Sequence, residues 1–183
     1  MTVSPAIEPI GPTLAVCIER ARGPAPKLRR RLAAFLYEGV LLFGLVNVTG
    51  WFYSISIHQT HALYGRYGMM ATQFLVLALY FMWFWTQGGQ TLAMKTWHIK
   101  VVSSSGLPIT LNQALARYLC GWLWFMPPWV ASWLAGWHQS KLLYGAMGVW
   151  LLLYVGLTWL LPQGQFLHDA ICRTRLIDTR PTP

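Results

Sequence analysis

Residues 67–86 read YGMMATQFLVLALYFMWFWT, twenty residues without a single charge. As an α-helix at 1.5 Å per residue the stretch measures roughly 30 Å, the thickness of a bilayer's hydrocarbon core. In hydrocarbon the backbone must bond within its own segment, so the expected element is a transmembrane helix. Three more apolar segments flank it. One runs from about Leu32 to Ile57 and is interrupted only by Glu38. A second runs from about Tyr118 to Trp137 and carries Pro127 and Pro128 in its middle, where missing donors kink or divide a helix. The last runs from Leu142 to Leu161. None shows the ten-residue alternation of a membrane β-barrel. The fold class is therefore all-α: a polytopic helix bundle of about four spans, the third kinked at its Pro-Pro.

Composition agrees. Of 183 residues, 55% are apolar and only 10% charged. Mean hydropathy is +0.42. A water-soluble domain could not hide this much apolar surface, which excludes an ordinary soluble enzyme or a disordered regulator. The formal net charge is +9. The basic residues cluster at the chain ends and between apolar runs, which points to membrane topology and anionic lipid instead of nucleic acid. With both termini cytoplasmic, twelve of the fourteen Lys and Arg fall inside, leaving Arg66 and Lys141 outside. Cys17, Cys120 and Cys172 show no disulfide or zinc spacing.

Residues 1–28 carry five prolines and read as a flexible basic tail without the order of a cleaved signal. The helical domain is expected over 29–178, with a short tail at 179–183. The connection between the second and third spans is more structured. Thr96–Val102 is β-branched and partly alternating, Ser103–Gly106 is a turn signal, and Pro108-Ile109-Thr110 follows. A short cytoplasmic β-hairpin is expected there. Thr110, with Gln113 three residues on, should cap a helix starting near Leu111.

Glu38 is the strongest chemical signal, because a carboxylate inside a span is costly and faces protein or a water-filled cavity. Two readings fit equally: a proton- or cation-binding group, or a structural carboxylate that pins helices. Arg31 lies two turns earlier on the same face, about 10 Å away along the axis, too far for a direct ion pair unless the long side chains reach toward each other; a third group or a water could bridge them. Asp169 follows the last span with Arg173 at i+4, the spacing of a solvated local ion pair. His58 and His61 form an HxxH better read as interfacial than as a metal site. Asn47 and Thr49 suit interhelical hydrogen bonds. Gly88-Gly89-Gln90-Thr91 lacks the ending of a P-loop. No catalytic constellation, metal set or cofactor motif is visible, so neither an enzyme nor a cofactor is expected.

Four elements in order carry a family resemblance. Arg31-Leu-Ala-Ala34-Phe-Leu-Tyr-Glu38 resembles the opening signature of the RDD family of bacterial membrane proteins, named for one Arg and two Asp. Gly89-Gln90-Thr91-Leu92-Ala93-Met94-Lys95 resembles its GQTxGK-like segment, and Val101-Val102 and Gly106 follow. Arg117-Tyr118 resembles its Arg-Tyr pair at the next helix, and His168-Asp169 through Thr174 its closing HD…T element. Glu38 replaces the first Asp, and Ala93 stands where Gly is usual. The resemblance implies a multi-pass protein of the bacterial plasma membrane, often described with three spans and suspected of transport, some members being linked to sodium–proton exchange. It makes Arg31, Glu38 and Asp169 the defining trio, with Thr91, Arg117, His168 and Thr174 in support. The expected function is a small transporter or transporter subunit, acting as a homo-oligomer or with a membrane-protein partner, with no nucleic acid involved. The alternative is a non-transporting scaffold or regulatory subunit that acts through a protein partner or anionic lipid.

Overall fold

The computed structural model describes residues 13–61, 63–136 and 140–180. In chain order the elements are α1 (Leu14–Arg22), α2 (Leu28–Ser56), α3 (Arg66–Gln87), α4 (Leu92–Thr96), β1 (Ile99–Ser103), α5 (Leu111–Gly121), α6 (Met126–Leu134), α7 (Ser140–Gly156), α8 (Leu167–Ile171) and β2 (Thr174–Asp178). Three helical stretches are long and apolar enough to cross a membrane: Leu28–Ser56, Arg66–Gln87 and Lys141–Trp159. Their outer faces expose large apolar side chains, including Phe43, Leu79 and Leu152. Hydrocarbon accepts such faces without the cost that water would impose.

The stretch expected to be kinked or divided at its Pro-Pro is two helices. α5 ends at Gly121, a 3₁₀ turn spans Trp122–Trp124, and α6 starts at Met126 with prolines in its first turn. Pro127 and Pro128 lack N–H groups, which an opening turn does not need, so the chain restarts a helix there instead of bending one. The Trp150 indole donates to the Leu123 carbonyl at 2.9 Å, supplying a donor at the break. α5 begins as the sequence indicates, with a Thr110–Gln113 capping box.

The expected hairpin is corrected. Past a single bond from Ser103 N–H to Leu107 O at 2.8 Å, β1 forms no ladder with the residues after its turn. It runs antiparallel to β2 from the other end of the chain, with Ile99 opposite Asp178 and Ser103 opposite Thr174. The turn itself exists, closed by Gly106 N–H to Ser103 O at 2.8 Å. Beyond it Pro108 offers no donor, and Thr110 is committed to capping α5, so the following segment cannot form a strand. An isolated two-stranded ribbon is marginal, but this one is covered on both faces. Ile99, Val101 and Leu176 join the helical core, while Val102 and Ile177 pack against Cys17 and Ala21 of α1.

That contact also corrects the tail. Residues 1–12 lie outside the described residues, but Leu14–Arg22 is a helix seated on the sheet. Gly106 has φ +86°, and a Cβ there would lie 2.4 Å from the Ile18 backbone, so only glycine lets α1 approach this closely. Four charged side chains at this end are tied down. Asp178 pairs with Arg30 of α2 and with Arg180, and Arg175 donates to the Ala21 carbonyl.

Candidate functional site

Seven residues singled out from the sequence converge at one place. Arg31, Glu38, Thr91, Arg117 and His168 line a cavity of about 460 Å³ between α2, α3, α4, α5 and α8. Asp169 and Thr174 sit immediately behind Arg117. The rest of the wall is almost entirely apolar and includes Phe81, Trp85, Tyr118, Trp124 and Phe166.

Glu38 is buried in α2, and both its oxygens accept hydrogen bonds. Tyr80 of α3 donates to Oε1 at 2.7 Å, and Thr91 donates to Oε2. Thr91 is placed by the local chain. It is the N-cap of α4, where its hydroxyl oxygen accepts the Met94 N–H at 3.2 Å, leaving the hydroxyl proton for Glu38. Gly89 sets up this approach. At φ +70° its carbonyl accepts the Val101 N–H at 2.7 Å, and a Cβ there would meet the Val101 carbonyl oxygen at 2.5 Å. Gln90 donates to the Ile99 carbonyl at 2.7 Å. The Gly-Gln-Thr run thus docks β1 beneath the end of α3 and aims a hydroxyl at the intramembrane acid.

Arg31 makes no ion pair among the described residues. Its guanidinium lies 4.3 Å from the centroid of the Phe166 ring, a cation–π contact. Its Nε and Nη1 are buried without a hydrogen-bond partner. Arg31 and Glu38 therefore share a cavity wall without a direct pair.

Asp169 differs from expectation. It is 0% exposed, and its partner is Arg117 of α5, not Arg173. α8 has only five residues, and Arg173 lies past its end at φ +51° with its side chain exposed, so the helical i+4 geometry never forms. Arg117 also donates to Thr174 Oγ1 at 2.9 Å, and Thr174 lies 3.3 Å from Asp169 Oδ1. Behind the cavity these three side chains close into a compact charge-assisted network. The Arg117 guanidinium lies 5.0 Å from the Trp85 ring centroid.

His168 completes the inner wall. Tyr154 Oη accepts the His168 backbone N–H at 3.3 Å and lies 2.9 Å from its Nδ1. Tyr154 Oη and His168 Nδ1 share one hydrogen bond, in which either the phenol donates to a bare Nδ1 or Nδ1–H donates to the phenol oxygen's second lone pair. Burial, followed by the positive charges of Arg117 and Arg31, holds His168 well below the usual imidazole range, so it is neutral at pH 7.

Sequence reasoning missed Tyr80, Tyr154, Trp85 and Phe166. Tyr80 had one available signal, a hydroxyl inside an uncharged span. Of the remaining candidates, Thr49 does bond across helices, to Gln73 at 2.8 Å, whereas Asn47 bonds back to Phe43 of its own helix. His58 follows the far end of α2, roughly 30 Å along the axis from Glu38.

The sequence model of the RDD family matches residues 25–173, a stretch that spans α2 through α8 and every residue lining the cavity except Leu176. The chain belongs to the RDD family. No curated protein and no solved structure matches it.

Proposed function

We propose that this protein is a small transporter, or a transporter subunit, of the bacterial plasma membrane, in which Glu38 exchanges a proton. The observation that carries the reading is the placement of Glu38: an acid within a membrane-length helix, on the wall of a cavity, held by two neutral hydroxyls and no cation. A carboxylate fixed this way gains or loses a proton with only a hydroxyl rotation. Among the described residues no three His, Cys, Asp or Glu side chains gather into a metal-binding group, so proton binding suits the site better than direct cation coordination. Arg31 supplies a fixed positive charge in the same cavity, and the Arg117–Asp169 pair holds the inner wall.

The proposed topology has four crossings with both termini cytoplasmic. Parity supports it. α1, β1 and β2 pack together, so the N-terminal helix, the connection after α3 and the C-terminal strand share one side. α2 and α3 leave and return. α7 then needs a second crossing, and α5 with α6 supplies it as a broken helix. The basic connections fall on the same side. Such a narrow bundle would work as a homo-oligomer or with a membrane-protein partner.

The test is ion flux into liposomes holding only the purified protein and a pH-sensitive dye. Pulses of sodium, potassium or lithium should change internal pH with the wild type and not with Glu38→Gln. No flux from folded, inserted wild-type protein would remove the transporter reading and favour a scaffold or regulatory subunit.

A further inference from the structure

Four buried donor atoms on residues that line the cavity have no partner among the described residues: Arg31 Nε and Nη1, Arg117 Nε and Trp85 Nε1, while the one unpartnered carboxylate oxygen, Asp169 Oδ2, belongs to a residue behind the wall. Buried donors without acceptors are rare and costly, and donors converging on one space call for an acceptor-rich occupant. The protein's own acids do not fill that role. Both Glu38 oxygens accept from Tyr80 and Thr91, and Asp169 is absent from the cavity lining, paired through Oδ1 with Arg117 behind the wall. His168 is neutral and its Nδ1 is taken by Tyr154. Water could satisfy individual N–H groups but brings no charge to the Arg31 guanidinium, which is 6% exposed.

The remaining wall sets the rest of the ligand. It is lined by aromatic and aliphatic side chains, and its rim includes Leu36, 69% exposed, and Phe125, 39% exposed. These residues lie on α2 and at the α5–α6 break, on surface that a bilayer would cover. A hydrophilic anion would leave that wall and rim unused. At about 460 Å³ the cavity is within the usual range for a small-molecule site.

We propose that the cavity binds an amphiphilic anion, a carboxylate or phosphate head on a hydrocarbon body, with the head on Arg31 and the body along the aromatic wall towards the bilayer. A fatty acid and an anionic bilayer lipid both carry this chemistry. The site shares its cavity with the proposed transport but requires no flux. Binding without flux would leave the anion site standing and remove transport, and flux without binding would do the reverse.

The test uses the full-length protein in a non-ionic detergent. A brominated fatty acid is titrated in, and quenching of tryptophan fluorescence is read, since Trp85 and Trp124 line the cavity. Saturable quenching is expected, at least tenfold weaker for the matching brominated alcohol and for Arg31→Gln. Competition by oleate, by phosphatidylglycerol and by inorganic phosphate separates the sources: either of the first two supports the site, whereas displacement by inorganic phosphate alone overturns the amphiphile. Gly39→Phe covers the case in which Arg31→Gln does not fold. Gly39 lines the cavity, and a Cβ there meets nothing within 4 Å, so a ring is added to the lining without a clash while Arg31 stays in place. That variant should unfold at the wild-type temperature and lose saturable quenching. Equal affinity for acid and alcohol, or undiminished binding by Gly39→Phe, would overturn the proposal.

Discussion

Removing Asp169 tests whether the inner wall is held by its buried ion pair. The side chains of Arg117 and Asp169 are 6% and 0% exposed, so water cannot replace a lost partner. Asp169→Ala leaves the Arg117 guanidinium buried with only the Thr174 hydroxyl. Breaking a buried pair from one side costs about 3–5 kcal/mol. For a chain of this size each kcal/mol lowers the unfolding midpoint by about 2–4 °C, so the expected drop is roughly 6–20 °C. Replacing both partners with apolar residues, as in Arg117→Met with Asp169→Leu, removes the uncompensated charge. That double variant should recover much of the loss. The assay is thermal unfolding of purified protein in detergent, followed by tryptophan fluorescence, with Asp169→Ala compared with the cycle of wild type, Arg117→Met, Asp169→Leu and their double variant. A drop of less than about 2 °C for Asp169→Ala would refute the reasoning. So would a double variant as unstable as the sum of its singles.

Other consequences follow from the same geometry. Thr91→Val removes a donor to Glu38 and the cap of α4, and should cost about 2–4 kcal/mol by the same unfolding assay, whereas Tyr80→Phe, losing one hydrogen bond, should cost about 1–3 kcal/mol. The depressed pKa of His168 means that the unfolded chain takes up its proton first as pH falls. Stability should therefore be full above about pH 6.5 and decline as pH drops below it, with His168→Gln showing a flatter dependence between pH 7 and 5. Burial, with a hydrogen bond involving Cys120, pushes the Cys172 thiol up to about 11. Its alkylation by a maleimide at pH 8 should be on the order of 100-fold slower than that of a free thiol, and should become rapid only on unfolding.

The long apolar helices were legible because hydrocarbon imposes a length and a composition that a single sequence displays directly. Glu38 was legible for the same reason, as a charge where none is cheap. The Thr110 cap was local chemistry three residues wide. What failed depended on distant partners. β1 was visible as a strand, but its mate lies at the far end of the chain, and only the missing N–H of Pro108 argued against the nearer pairing. Asp169 was assigned to Arg173 by helical spacing, yet α8 stops before that spacing applies. Its true partner, Arg117, is fifty-two positions away. The Pro-Pro pair signalled a discontinuity, and whether it bends a helix or starts a new one depends on packing against α7. Leu14–Arg22 looked like tail because its short apolar patch has no meaning until the β1–β2 face exists to receive it.

The central claim, that Glu38 is a proton-exchanging carboxylate on a cavity wall, is tested most directly by infrared difference spectroscopy of the reconstituted protein across a pH titration. The account predicts a protonated-carboxyl band that appears and disappears reversibly with pH, is absent in Glu38→Gln, and shifts in frequency when Tyr80→Phe removes one of its hydrogen bonds. A carboxyl signal unchanged between wild type and Glu38→Gln would contradict it, and would leave Glu38 as a fixed strut between α2, α3 and α4.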